Sequence, residues 1–198
     1  MVARAERVVS IGPTHHGKDL AETTVNAWLL GDDTHVVVVD VGYDDGAVRE
    51  VVGARRVSMV ACTHGHREHV MRAPALAASF GAAVLLHPDD HELWHQTHPD
   101  TEADGELLDG QVLRVATVEI RVLHTPGHTP GSVCLYIPAL ASVCTGDTLI
   151  TAGRDPRLLE AIHDRLRSLP PKTSVLPAHG EPTTLQRLAP DLAVRPAP

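Results

Sequence analysis

Apolar runs separated by turn-forming residues set the pattern of this chain. Residues 8–11 (Val-Val-Ser-Ile) and 24–30 (Thr-Val-Asn-Ala-Trp-Leu-Leu) predict two early strands, with a polar loop over 12–22 between them. Residues 36–39 are four consecutive valines, the pattern of a strand buried on both faces, and the run ends at Asp40. A helix is predicted near 45–53 and a strand over 57–62. Pro74 suits the first turn of a helix that stops near Gly81. Residues 83–86 read as another buried strand, and Pro88 opens a helix running to about Gln96.

The second half changes character. After the turn pair Asp109-Gly110 come strands over 112–116 and 118–122, the latter alternating apolar and charged residues, which predicts one wet face and antiparallel pairing. Residues 132–137 and 142–145 form a further strand pair. Pro156 precedes an amphipathic helix over 157–169, and 174–176 is a last strand. The organisation is one domain over 1–189, followed by a Pro-rich tail over 190–198.

Composition narrows the classes. Aromatics are only 3% of the chain, so the core is aliphatic. The net charge of −8 and the absence of any Lys/Arg run argue against a nucleic-acid surface. No apolar segment reaches the ~18 residues of a membrane span. The first residues, 1–7, lack the apolar stretch of a secretion signal, so a cytoplasmic location is expected. Three cysteines, Cys62, Cys134 and Cys144, lie in or beside strand-like runs, fitting reduced, buried thiols; Cys62, next to a histidine cluster, has metal ligation as its alternative role. The oligomeric state is left open.

That cluster is Thr63-His64-Gly65-His66-Arg67-Glu68-His69, delivered by the strand over 57–62. Imidazole and carboxylate together suit Zn²⁺ or Fe²⁺. No helix or strand period puts all of these side chains on one face; a tight turn after a strand does. Downstream follow His124-Thr125-Pro126-Gly127-His128-Thr129-Pro130-Gly131-Ser132, then Thr145-Gly146-Asp147, then Pro177-Ala178-His179-Gly180. Each sets a ligand-type residue in a turn-rich segment after a strand-like run. The four segments in this order resemble the metallo-β-lactamase superfamily, and within it the short relatives of glyoxalase II (hydroxyacylglutathione hydrolase). The resemblance spans roughly residues 8–184.

The resemblance implies an α/β fold, a four-layer αββα sandwich of two mixed sheets with helices outside. It also implies a ligand set. His64, His66 and His128 would hold a first metal, Glu68, His69 and His179 a second, with Asp147 bridging both and Asp40 orienting a ligand histidine through its far ring nitrogen. At Asp40 a plain strand-end cap is the competing reading. The implied cofactor is zinc, one or two ions per chain, with iron or manganese as alternatives. The implied function is a metal-dependent hydrolase whose metals lower the pKa of water from ~16 toward ~7 and so yield a hydroxide nucleophile, with Asp147 and Glu68 as catalytic carboxylates.

Two departures from the family pattern matter. Glu68 stands where Asp is usual, one methylene longer, which predicts a weakened second metal or a role for Glu68 as general base. Only 19 residues follow His179, so the helical region that grips glutathione in glyoxalase II is not expected. The segment after Asp147 is short, which suits a small-molecule or carrier-bound acyl substrate. A thiolate leaves without help from a placed acid, because its conjugate acid has a pKa of about 8.5, whereas an amide nitrogen needs one. A thioester or other activated ester is therefore the expected substrate. The alternatives are a mononuclear-iron persulfide dioxygenase and a non-catalytic metal-binding protein. His91-Glu92-Leu93-Trp94-His95 matches the zinc-protease pattern but reads better as a solvated helix face. His35, His87, His98 and His163 read as structural or exposed, His124 as near the site without binding metal, and His15 and His16 as loop residues that can overhang the site.

Overall fold

In a computed structural model of the protein, which describes residues 2–16, 19–149 and 165–192, the first half of the chain builds a six-stranded mixed sheet. Its strands lie in chain order: β1 (Arg4–His16), β2 (Asp19–Gly31), β3 (His35–Val39), β4 (Arg56–Ala61), β5 (Ala83–Leu86) and β6 (Gly105–Glu106). β1, β2 and β3 pair antiparallel, while β3 to β6 pair parallel. Parallel neighbours need crossovers, and these carry helices α1 (Asp45–Val52), α2 (Arg67–Val70), α3 (Ala73–Phe80) and α4 (His91–Thr97). Gly81 ends α3 in the left-handed conformation, φ 61°, as the sequence predicts.

The valine run divides by parity. Val36 and Val38 pack beneath the helices with Val48, Val52, Leu76 and Trp94, whereas Val37 and Val39 face a second sheet. A strand alternates its side chains between faces, so four consecutive valines supply both sides at once.

The second sheet contains β7 (Val112–Val115), β8 (Val118–His124), β9 (Val133–Ile137), β10 (Ser142–Gly146), β11 (Ser174–Pro177) and β12 (Thr183–Thr184), again adjacent in chain order. β10 and β11 pair parallel and the other neighbours antiparallel. Trp28, Leu30, Val37 and Val39 of the first sheet meet Leu113, Ile120, Val122, Leu135 and Leu176 of the second in one aliphatic layer. On the far face, Cys134, Val143 and Val175 pack with Leu166 and with Leu185 at the start of α5 (Leu185–Leu192). These are two mixed sheets face to face, with helices outside, as expected.

The early strands differ from their prediction. β1 and β2 form one long hairpin whose register runs from Arg4↔Gly31 to His16↔Asp19, so the predicted polar loop over 12–22 is mostly strand. Backbone pairing carries the ladder where the apolar alternation has stopped, and Pro13 is tolerated because β1 is an edge strand. The short β6 and β12 have too few residues to show a period. The predicted helix over 157–169 falls mainly in 150–164, outside the described residues, as does His163. α5 runs through Pro190 into the predicted tail, and 193–198 lie outside the described residues. No helix among the described residues is long and apolar enough to cross a membrane.

All three cysteines are free and buried. Burial pushes the Cys134 thiol up to about 11 and those of Cys62 and Cys144 well above the ordinary thiol value. The thiolate is the reactive form, so the native protein is expected to resist alkylation at pH 7.5 and to gain three labels per chain in denaturant. Mass spectrometry after timed iodoacetamide treatment checks this.

Candidate metal centre

The residues of the predicted constellation gather at one end of the sandwich, where the strands deliver their loops. β4 leads into His64 and His66, and α2 carries His69. The β8–β9 loop carries His128, and the residues after β10 and β11 carry Asp147 and His179. His64 Nε2 lies 3.1 Å from His66 Nδ1, which lies 3.0 Å from His128 Nε2. Asp147 Oδ2 is 3.4 Å from His128 Nε2, 3.8 Å from His69 Nε2 and 3.9 Å from His64 Nε2; its Oδ1 is 3.4 Å from His179 Nε2. Gly146 brings Asp147 in close: it has φ 50°, and a Cβ there would sit 2.3 Å from Thr63 Oγ1.

The outward ring nitrogens are engaged, which leaves lone pairs pointing inward. Asp40 is 2% exposed and accepts from Thr63 N and Thr63 Oγ1, each at 2.8 Å, and from His69 Nδ1 at 3.2 Å. Thr63 Oγ1, having given its proton to Asp40, accepts from His64 Nδ1 at 3.1 Å. His179 Nδ1 donates to the Thr24 carbonyl at 2.5 Å. Thus Asp40, the Thr63 hydroxyl and the Thr24 carbonyl each hold the Nδ1–H of one histidine, so that Nε2 is the nitrogen these three present toward the centre. The two readings of Asp40 merge: it holds the strand-end backbone and orients His69. It does so from a left-handed backbone, φ 49°, of the kind that gathers at functional sites.

These residues fit a cation. His69 Nε2 and Asp147 Oδ1 are buried polar atoms with no hydrogen-bond partner. Three imidazole nitrogens packed within 3.0–3.1 Å of one another along the chain of contacts cannot all be satisfied by shared protons. Ligands about 2.0–2.1 Å from one tetrahedral zinc would stand roughly 3.3 Å apart. At this centre, among the described residues, two groups have ligand atoms close enough to hold an ion: His64, His66 and His128, and His64, His69 and Asp147. His179 faces Asp147 from the other side.

Electrostatics follow from burial and neighbours. Burial, then the other imidazoles, holds His64 well below the ordinary value of 6.5. Burial also lowers His128. Burial would lower His69 too, but the Asp40 and Asp147 carboxylates outweigh it and raise it to about 9. Metal-stripped protein should therefore lose stability in both directions. Above 6.5 the protonated His69 contributes stability that disappears as pH rises through about 9. Below 6.5 the unfolded chain takes up protons that His64 and His128 refuse. Urea midpoints of stripped protein are expected to peak near pH 6.5 and to flatten once metal is restored.

Glu68 stands beside the centre, where its carboxylate acts on both His69 and His128. Among the described residues it belongs to no metal-capable group. Instead it lines a 230 Å³ cleft with Gly65, His66, Arg67, Leu93, Gln96 and Thr97. The sequence suggests a curled turn, but residues 67–70 form a helical turn with His66 at the N-cap position. Consecutive helical residues point about 100° apart. With His69 turned inward, Glu68 projects to its side, lining the cleft next to the centre.

Other candidates settle simply. Cys62 packs in the core beneath the helices and, among the described residues, joins no metal-capable group. His95 pairs with Glu102 at 3.1 Å on the surface of α4, and among the described residues neither it nor His91 joins such a group. The side chains of His15 and His16 lie outside the described residues. His87, Asp89 and His124 do cluster, but the two rings stack at 4.1 Å and 9°. Their in-plane lone pairs therefore run side by side and do not converge. His124 Nε2 donates to the Pro130 carbonyl at 2.8 Å, a role in loop structure.

Sequence reading missed Asn26. Its amide donates to the Pro177 and Gly180 carbonyls at 2.9 and 2.8 Å, its backbone N–H donates to Ala178, and Trp28 Nε1 adds a bond to Pro177. β2 thereby pins the His179 loop. The signal was a carboxamide inside an apolar strand, because a buried Asn needs partners.

Residues 20–187 match the family model for the metallo-beta-lactamase superfamily. An uncharacterized protein of Mycobacterium leprae is 32% identical over 81% of this chain and 88% of its own. A hydroxyacylglutathione hydrolase of Cereibacter sphaeroides is 31% identical over 76% of this chain and 63% of its own. The crystal structure of the B3 metallo-beta-lactamase BLEG-1 superposes with a TM-score of 0.76 at 26% identity, covering 91% of this chain and 97% of that one. Matched in sequence over most of its length and in both sheets of its fold, the chain belongs to the metallo-beta-lactamase superfamily, a superfamily of metallo-hydrolases.

Proposed function

We propose that this protein is a metal-dependent hydrolase of thioesters or other activated esters, acting on a small-molecule or carrier-bound acyl group. The observation that carries the reading is the ring of inward-facing imidazole nitrogens around Asp147, with two buried polar atoms left unpartnered. A metal ion held there, with zinc the first candidate and iron or manganese the alternatives, supplies Lewis acidity and water of lowered pKa. The chain's own residues supply placement and proton handling. Asp40 and Thr63 keep His69 and His64 in the binding tautomer. Asp147 offsets cationic charge and offers Oδ1 as an acceptor that orients the attacking water. Glu68, at the cleft mouth, is placed to relay a proton to or from solvent. A thiolate leaving group needs no further acid. The Cereibacter relative, named for hydrolysing hydroxyacylglutathione, supports the same substrate class.

The test is steady-state hydrolysis by protein purified without added metal and assayed for metal content. Matched acyl thioesters, oxygen esters and amides are compared, with the acyl group on glutathione, on a pantetheine carrier and on a simple thiol. Thioester turnover abolished by a chelator and restored by one metal is expected. Full metal content with no turnover of any of them would reject the proposal.

One observation favours a second reading, a mononuclear-iron persulfide dioxygenase: Glu68 stands apart from the ligand groups, which weakens a second metal. Oxygen uptake with a persulfide and a single bound iron would select it. Under the hydrolase reading, Glu68→Asp, which places the carboxylate of the family pattern at this position, is expected to raise metal content toward two per chain. Equal, full occupancy in wild type and variant would refute the weakened second site.

A further inference from the structure

Asp90 joins the two loops that carry the first metal-capable group. It lies between β5 and α4 and is fully buried. It stands at the N-cap of α4, where an aspartate ordinarily accepts from the helix's own first turn, yet its side chain makes no such bond. Instead Oδ2 accepts from Gly65 N at 2.8 Å and from Thr129 Oγ1 at 2.7 Å, and Oδ1 accepts from Gly131 N at 2.7 Å. Gly65 separates His64 from His66, and Thr129 follows His128 directly. One carboxylate thus fastens partners 64 and 66 positions apart in the chain.

Two further observations agree. A Cβ on Gly65 would meet Asp90 O at 2.9 Å and Asp90 Cβ at 3.2 Å, and one on Gly131 would meet Asp90 Cγ at 2.7 Å. Both loops therefore press their backbones against this one side chain. Ser132 completes the arrangement: its Oγ accepts from Thr129 N at 3.0 Å and pairs with Thr129 Oγ1 at 2.7 Å, directing the Thr129 proton to Asp90.

We infer that Asp90 is a positioning residue, a buried anionic clamp that fixes the His64–His66 loop against the His128 loop and so sets the affinity of the tris-histidine group for a divalent cation. It touches none of the three imidazoles and acts through the backbone that carries them. The inference rests on the metal-hydrolase reading of the same centre.

The test is the zinc affinity of stripped full-length protein, measured by competition with a chromophoric chelator, together with the visible spectrum of the cobalt(II)-loaded form. Asp90→Asn preserves shape but turns an amide NH₂ toward a backbone N–H. It is expected to weaken zinc binding about 10–100-fold, as outer partners of metal ligands do, and to alter the cobalt bands. Thr129→Val, which removes one donor and leaves the rest, is expected to weaken binding about fivefold and serves if Asp90→Asn fails to fold. Leu113→Ala, in the core between the sheets, is the control: a lower unfolding midpoint with unchanged zinc affinity. Folded Asp90→Asn, or Thr129→Val where that alone folds, with wild-type zinc affinity and cobalt spectrum would overturn the inference whatever its melting temperature. Wild type that takes up no zinc or cobalt would instead overturn the reading beneath it.

Discussion

Asp147→Asn is expected to lower kcat/KM for the cognate ester about 10²–10³-fold or more, the scale of losing a preorganised electrostatic partner, and to reduce bound metal. Asp147 is 7% exposed and faces His64, His69, His128 and His179 within 3.4–3.9 Å. It is the acidic member of both sides of the centre. Asparagine keeps the volume and one oxygen but removes the negative charge that makes an array of neutral imidazoles able to take divalent cations. It also presents two N–H donors to nitrogens whose lone pairs face inward. Elemental analysis and kinetics on the same preparation separate the two losses. Wild-type turnover with wild-type metal content would remove Asp147 from the centre.

Asp40→Ala is expected to cost about 3–5 kcal/mol of folding stability, the scale of breaking a buried charge pair, and to abolish tight metal binding. It strands three donors at once: Thr63 N–H, the Thr63 hydroxyl and His69 Nδ1–H. Alanine also tolerates the left-handed backbone at this position less well than aspartate does. Asp40→Asn separates the effects. Its oxygen can still accept from Thr63 N, so stability should fall less. Its NH₂ group, however, turns a donor toward His69 Nδ1 and favours the tautomer with a proton on Nε2, the atom that must be bare. Metal affinity should therefore drop about 10–100-fold while the fold survives. Urea unfolding of stripped protein and chelator competition measure the two quantities. Asp40→Asn with undiminished metal affinity would show that His69 does not depend on Asp40 for its tautomer.

The tautomer argument shows where sequence reading stops. A strand ending in aspartate at position 40 suggests an orienting carboxylate. Nothing in one dimension says that Thr63 relays the same carboxylate to His64, or that a carbonyl at Thr24 serves His179. Glu68 shows a second limit. It sits inside the densest cluster of ligand-type residues in the chain, and adjacency suggests a shared centre, yet among the described residues it joins none of the metal-capable groups. Asp90 falls inside the helix predicted from Pro88, and nothing in its local sequence marks it as a tie between two distant loops.

The linear chain determined the layers. Period-two alternation and a doubly apolar valine run depend only on which residues meet water, and burial follows from near neighbours along a strand. It also determined which side chains are chemically able to bind a cation, since imidazole and carboxylate carry that capacity wherever they stand. Only the tertiary structure decided which of them meet. Convergence depends on strand order, loop direction and helical phase, all set by contacts between residues more than a hundred positions apart, such as β2 with the His179 loop. Ligand geometry is fixed to tenths of an ångström, a precision that long-range packing and buried hydrogen bonds impose and local sequence cannot encode.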